Sequence, residues 1–317
     1  MSLPCGLQLC SPARRWYSPA PLDPRHLSAL TRLVACPAPL RKHPRTCIDC
    51  CVSGYSASGA RQVVMPSCRR FEGKVALVTA ATAGIGFGIA QRLGEEGAKL
   101  VICSRKQNNV DDSLKTLQDK GIECVGCVCH VGNRQHVEQF VKLALDTYGQ
   151  IDVLVSNAAV NPASGPLLSI PESAIDKTLE INIKAAIMLV KATAPHLKRG
   201  ASVVFISSYT AFNPSEPLAI YAVSKTAVVG LTKALAVELG PSGIRVNCVA
   251  PGIVPTKFAS ALVENDELRE QQRTANLLKR LGTPQDMAAA VAYLASDDAS
   301  YVTAETLCVS GGLQSRL

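Results

Sequence analysis

No stretch of this chain reaches the ~18 consecutive apolar residues that a membrane span requires. No compact apolar region with a small-residue cleavage site follows a basic start, so a secretory signal is not expected. Acidic residues are scarce at the front: residues 1–70 hold ten Lys/Arg against two Asp/Glu. Residues 71–317 hold 23 of each. The formal charge of +8 therefore belongs to the leader, and the balanced remainder carries no nucleic-acid footprint. The 13 cysteines are scattered and odd in number, which suits a reducing compartment better than a secreted disulfide framework. No internal repeat is apparent.

The leader is compositionally distinct, with nine of the 19 prolines, seven of the 13 cysteines and the only tryptophan, Trp16. Prolines at Pro19, Pro21, Pro24, Pro37, Pro39 and Pro44 break any long helix or strand. A disordered basic Pro/Cys-rich extension is expected over residues 1–70. The alternative is a mitochondrial presequence, which the Arg-rich, acid-poor composition fits and the prolines oppose. His43, Cys47, Cys50 and Cys51 resemble a zinc-ligand run. The second Cys/His pair of a structural zinc site is missing, Cys68 being the one later candidate in the leader. Cys124, Cys127, Cys129 and His130 form another cluster. On a strand, Cys124 and Cys127 would point to opposite faces and could not share an ion. These cysteines are expected to fill the core, and no metal is expected.

From Gly73 onward, short apolar runs alternate with helix-length amphipathic segments. The runs are Lys74–Thr79, Lys99–Ser104, Val125–Cys129, Val153–Ser156, Val203–Ser207, Val246–Val249 and Leu307–Val309. Between Asn133 and Tyr148, the residues Val137, Phe140, Val141, Ala144, Leu145 and Tyr148 fall on one helical face, and Gly149 stands where a helix stops. Apolar strands alternating with helices predict a parallel sheet covered on both faces. The fold class is therefore α/β: one Rossmann-type doubly wound domain over residues 71–317, with a seven-stranded sheet.

The turn after the first strand reads A-A-T-A-G-I-G and opens a helix near Ile85. Small residues there let backbone amides approach a pyrophosphate, and the helix N-terminus favours negative charge. The end of the second strand reads Ser104, Arg105, Lys106, with no acid to bind a ribose 2′-hydroxyl. Two adjacent cations suit a 2′-phosphate, so NADP(H) is favoured over NAD(H). Tyr221-Ala-Val-Ser-Lys225 places a phenol and an ammonium on one helix face. A phenol titrates near ~10, and lowering it by ~3 units takes about 4 kcal/mol of phenolate stabilisation. Lys225 and a cationic nicotinamide are the expected sources. Ser208, at the end of the strand Val203–Ser207, would hold a carbonyl oxygen while Tyr221 donates the proton and the cofactor gives hydride.

Taken together, these motifs resemble the short-chain dehydrogenase/reductase family across residues 72–317. Thr79, Ala80, Thr82, Gly84, Ile85 and Gly86 lie in the stretch that resembles its cofactor turn. Ser156-Asn157-Ala158-Ala159 is similar to its N-N-A-G motif. The resemblance implies a cofactor contact at Asn157 and Ala158, and a supporting role for Asn182 behind a proton-relay water. It implies Ser208, Tyr221 and Lys225 as the catalytic serine, tyrosine and lysine. It also implies Pro251, Gly252, Ile253 and Thr256 beside the nicotinamide. The stretches S-R-K-Q-N-N-V-D, V-C-H-V-G and I-R-V-N-C-V-A-P-G resemble a branch of that family, the peroxisomal NADP-dependent carbonyl and retinal reductases (member-4-like). That likeness implies hydrophobic aldehyde and ketone substrates (retinal, aromatic ketones, dicarbonyls) and a homotetramer joined through helices near Glu172–Leu197 and Ala219–Leu239. It further implies a peroxisomal import receptor binding Ser315-Arg316-Leu317, a variant of the S-K-L address.

Some positions depart from the family pattern. Ala80 and Ala159 replace glycines, and Pro255 precedes Thr256 where a lysine is common. Ala304 and Ser310 replace a glycine and an aspartate near the last strand. His130 and Val131 stand at the adenine position, where many members carry Asp. The alternative to an active reductase is a catalytically weak NADP(H)-binding protein acting through interactions. The segment Lys257–Leu281 is expected to form a short helical lid over substrate.

Overall fold

The computed structural model describes residues 69–259 and 265–313. The leader, its His43/Cys47/Cys50/Cys51 run and the terminal Ser315-Arg316-Leu317 lie outside the described residues. Seven parallel strands form one sheet in the order β3-β2-β1-β4-β5-β6-β7. They are β1 (Val75–Val78), β2 (Lys99–Ser104), β3 (Cys124–Val128), β4 (Ile151–Ser156), β5 (Leu197–Ile206), β6 (Arg245–Pro251) and β7 (Thr306–Val309). The helices are α1 (Gly84–Glu95), α2 (Gln107–Gln118), α3 (Arg134–Tyr148), α4 (Glu172–Leu179), α5 (Ala185–Thr193), α6 (Ala219–Leu239), α7 (Asp266–Ala275) and α8 (Pro284–Ala295).

Alternation along each strand divides the core between the two faces of the sheet. Ala76, Val78, Leu100 and Ile102 pack with Ile89 and Leu93 of α1 and Val291 of α8. Val75, Leu77, Val101 and Cys103 pack on the other face with Phe140 of α3, Leu189 of α5 and Val228 of α6. The cysteine cluster obeys the same rule. Cys124 joins the first group, while Cys127 and Cys129 join the second. α6 is long and apolar enough, by length and composition alone, to cross a bilayer. Here Val228 and Ala236 pack it onto the sheet.

Local signals set the helix ends. Asn133 caps α3 by accepting from the His136 N–H, and Gly149 ends it in the left-handed region at φ 75°. At α8, Thr283 and Asp286 form a capping box with Pro284 at the first turn. The segment expected as one helix over Glu172–Leu197 is interrupted. A π turn at Glu180–Lys184 separates α4 from α5, and residues 194–196 tighten into a 3-10 turn before β5. Strand order reverses between β1 and β4. A crevice therefore opens at their C-terminal ends, where ligands bind in such sheets.

Candidate active site

That crevice is a cleft of about 1030 Å³. One end is lined by the turn Ala80–Gly86 and by Arg105 and His130. The other is lined by Ser208, Tyr221 and Phe258. At the turn, Ala80 takes φ 50° and Gly84 φ 54°. A side chain on Gly86 would collide with the Ala80 carbonyl oxygen and the Asn157 amide. One on Gly84 would stand 2.9 Å from Thr256 Cγ2. No side chain caps α1, and its first turn holds no acid. The first N–H groups of the helix, from Gly84, Ile85 and Gly86, are thus left facing the cleft. These features fit the pyrophosphate of a dinucleotide.

Thr79 serves this turn from behind. It is fully buried. Its Oγ1 accepts from the N–H groups of Asn157 at 2.9 Å and Ala158 at 3.2 Å, and donates to Val155 O at 3.3 Å. Asn157 Nδ2 in turn donates to Thr79 O at 3.0 Å and Ala80 O at 3.1 Å. At the end of the cleft by β2, Ser104 and Arg105 line it, and exposed Arg105 makes no ion pair with the described residues. Lys106 lies outside the lining and is the N-cap residue of α2. His130 Nδ1 accepts from the Gly132 N–H at 3.2 Å.

At the other end, the first turns of α6 present Tyr221 and Lys225 on one face, with Lys225 Nζ 5.5 Å from the Tyr221 ring centroid. Lys225 Nζ donates to Ile206 O at 2.8 Å. That bond uses one of its three protons, and the side chain also lines the cleft. Burial lowers its pKa to about 8. Tyr221 is shifted the other way. Burial pushes its phenol above the ordinary value, and a hydrogen bond with Ser208 opposes that shift. In the chain alone, burial of the phenol outweighs the Ser208 hydrogen bond, opposite in direction to the depression expected from Lys225 together with a cationic nicotinamide. A phenol that keeps its proton suits a proton donor. Phe258 packs against Tyr221 with ring centroids 5.5 Å apart.

Asn182 sits in the π turn behind this group, 2% exposed. Its Nδ2 donates to Val160 O and Ser224 Oγ, both at 2.9 Å, and its Oδ1 accepts from the Val160 N–H at 2.8 Å. It thus joins the loop after β4 to the face of α6 that carries Ser224. Pro251, Gly252, Ile253 and Thr256 line the middle of the cleft at the end of β6.

Residues 79–314 match the family model described as enoyl-(acyl carrier protein) reductase. The chain is 57% identical over 249 residues to Tropinone reductase-like 3 from Erythroxylum coca, covering 78% of this chain and 96% of that protein. It belongs to the short-chain dehydrogenase/reductase family. Such enzymes are NAD(P)-dependent oxidoreductases. Dehydrogenase/reductase SDR family member 4 from Homo sapiens is 50% identical over 246 residues, covering 77% of this chain and 88% of that protein. Among solved structures, a short-chain dehydrogenase from Burkholderia cenocepacia in complex with NADP superposes with a TM-score of 0.71 at 31% identity, covering 77% of this chain and 99% of the other.

The structure of this short-chain dehydrogenase/reductase brings most of the expected site residues to one cleft. Thr79, Lys106 and Asn182 stand outside its lining. Of the walls at this end, Phe258 lies in the segment expected as a lid, while Val160, Pro162, Tyr209 and Leu218 also line them and carry no motif in the sequence. Thr210, beside Ser208, was missed for the same reason.

Proposed function

We propose that this enzyme reduces hydrophobic aldehydes and ketones, retinal, aromatic ketones and dicarbonyls among them, with NADPH as cofactor and Tyr221 as proton donor. The observation that carries this is the convergence of Ser208, Tyr221 and Lys225 at one end of a single cleft that has a phosphate-fitting turn at its other end. The apolar walls around Leu218 and Phe258 suit an apolar carbonyl compound. Arg105, which pairs with no carboxylate among the described residues, supports a 2′-phosphate. The NADP complex of the Burkholderia relative agrees.

When bound, the dinucleotide supplies hydride. Ser208 holds the carbonyl oxygen, Tyr221 gives its proton to that oxygen, and the Lys225 ammonium stabilises the phenolate left behind. Asn182 steadies the α6 backbone beneath them. This full set disfavours the alternative of a catalytically weak cofactor-binding protein.

The leader (1–70) and the catalytic domain (71–317) are proposed as the two parts of the chain. Exposed Leu179, Ile187, Val223 and Val237 along α4 to α6 support homotetramer contacts through those helices. Ser315-Arg316-Leu317 supports peroxisomal import, with the mitochondrion through the leader as the alternative. The segment after Thr256, with α7, is proposed as the lid.

The test is loss of NADPH absorbance with retinal, phenyl ketones and dicarbonyls, run beside NADH and Tyr221→Phe. Turnover that requires Tyr221 and prefers NADPH is expected. A folded protein that binds NADPH yet turns over none of these would favour the interaction alternative.

A further inference from the structure

Ser208 must offer its proton to the carbonyl oxygen, and its surroundings decide whether it can. A serine hydroxyl has one donor position and two acceptor positions. One residue engages both acceptor positions. Thr210 donates to Ser208 Oγ from its backbone N–H at 3.2 Å and from its Oγ1 at 2.9 Å. The first bond is the N-cap of the short 3-10 turn Tyr209–Ala211. The second is not needed for that cap, and it comes from a side chain only 1% exposed.

A contact between two hydroxyls can run in either direction, and the surrounding groups choose one. Were Ser208 the donor, the Thr210 proton would meet no other acceptor among the described residues, on a side chain only 1% exposed. Tyr221 would then face an open Ser208 lone pair and donate to it, reversing the sense of the Ser208 interaction that lowers the phenol pKa. With Thr210 as donor, the Thr210 and Ser208 protons both have partners, and the Tyr221 proton is left toward the cleft that Tyr221 lines.

We propose that Thr210 is a positioning residue: by filling both lone pairs of Ser208, it makes that serine a dedicated donor toward Tyr221 and the carbonyl oxygen. This rests on the carbonyl-reductase assignment above. In the reaction the Tyr221 O–H bond breaks and the alcohol O–H bond forms, while hydride from the cofactor makes the new C–H bond. Ser208 with no free lone pair cannot draw the Tyr221 proton to itself, so that proton remains available to the carbonyl oxygen. Without the Thr210 hydroxyl, one lone pair on Ser208 is freed. Tyr221 then donates to Ser208 in the ground state and must break that bond before each transfer.

The test compares wild type with Thr210→Val, Thr210→Ala and Thr210→Ser at saturating NADPH, with kcat, both KM values, the pH profile and the solvent isotope effect on kcat measured. Losing one hydrogen bond of ordinary strength predicts a kcat about five- to tenfold lower in Thr210→Val and Thr210→Ala. The KM for NADPH is expected to stay unchanged and the isotope effect to grow. Thr210→Ser, which keeps the hydroxyl, is expected to rescue the rate. If Thr210→Val does not fold, as judged by NADPH fluorescence titration, the alanine and serine variants carry the comparison. Wild-type kcat in Thr210→Val or Thr210→Ala would overturn the proposal. So would a serine variant as impaired as the alanine one, since that pattern belongs to a packing methyl. A wild-type enzyme inert toward every carbonyl overturns the reductase assignment and this inference with it; an active wild type indifferent to Thr210 overturns this inference alone.

Discussion

Asn157 reaches back from the end of β4 to donate its side-chain amide to the carbonyl oxygen of Ala80, at 3.1 Å, while also holding Thr79 O at 3.0 Å. Ala80 is one of the few non-glycine residues with positive φ, at 50°, a conformation that costs an L-residue about 1–2 kcal/mol. The amide thus helps to hold a strained turn in its phosphate-facing shape. Asn157→Ala removes two ordinary hydrogen bonds, so the KM for NADPH is expected to rise by about tenfold or more. Ala80→Gly relieves the strain and is expected to add roughly 0.5–1 kcal/mol of stability, measured by urea unfolding. An Ala80→Gly protein less stable than wild type would show that the turn is not strained.

Gly86 lies against the same pair. A methyl there would collide with the Ala80 carbonyl oxygen and the Asn157 amide, and the first of these is backbone that cannot swing aside. Gly86→Ala is expected to abolish NADPH binding in a fluorescence titration, with circular dichroism reporting how much of the sheet survives. Wild-type affinity would mean that the turn has room which this geometry denies.

Cofactor choice is expected to rest on Arg105. Arg105→Asp should raise the KM for NADPH far more than that for NADH, because only the former carries the 2′-phosphate. Lys106 caps α2 by backbone geometry and lies outside the cleft, so Lys106→Ala is expected to have the smaller effect. Equal losses with both cofactors in Arg105→Asp would remove the 2′-phosphate assignment.

The pH response follows from Lys225. Burial brings its pKa from the ordinary 10.5 to about 8, while the Tyr221 phenol is held above its ordinary value and stays protonated. The value of kcat/KM for NADPH is therefore expected to fall as pH rises through about 8, where the ammonium beneath the phenol loses its charge. The stability contribution of this group has the opposite sign. Between about 8 and 10.5 the unfolded chain binds the proton and the folded one does not, so the contribution rises with pH. Activity lost together with stability in that window would point to unfolding instead. A profile flat well past the lysine range would show that its charge is not required.

The sheet was legible because buried parallel strands are written as continuous apolar runs. Every expected run became a strand, with edges moved by a few residues. The largest shift is at β5, which begins at Leu197 instead of Val203. Its first residues, Lys198, Arg199 and Gly200, are exposed and carry no apolar signal. The grouping of Ser208, Tyr221 and Lys225 in one cleft was legible because a helix enforces the spacing of Tyr221 and Lys225. Thr79 was legible by position, while its hydrogen bonds to Val155, Asn157 and Ala158 behind the turn leave no mark in a motif. The π turn left no trace in periodicity. Both helices around it bury their faces normally, and the extra residue of a π turn has no compositional mark.

That π turn carries a consequence of phase. Five residues, Glu180–Lys184, occupy it, and the wider hydrogen-bonded loop absorbs one residue beyond a regular helix. Substitutions within the turn leave this count alone; a one-residue deletion does not. Closing the turn to regular α-helix would rotate everything after it by about 100°. Leu189 and Val190 would swing off the sheet, or else Asn182 would turn away from Ser224. The segment therefore tolerates changes of residue but not of length, and its register holds both the core packing and the tie to the catalytic helix.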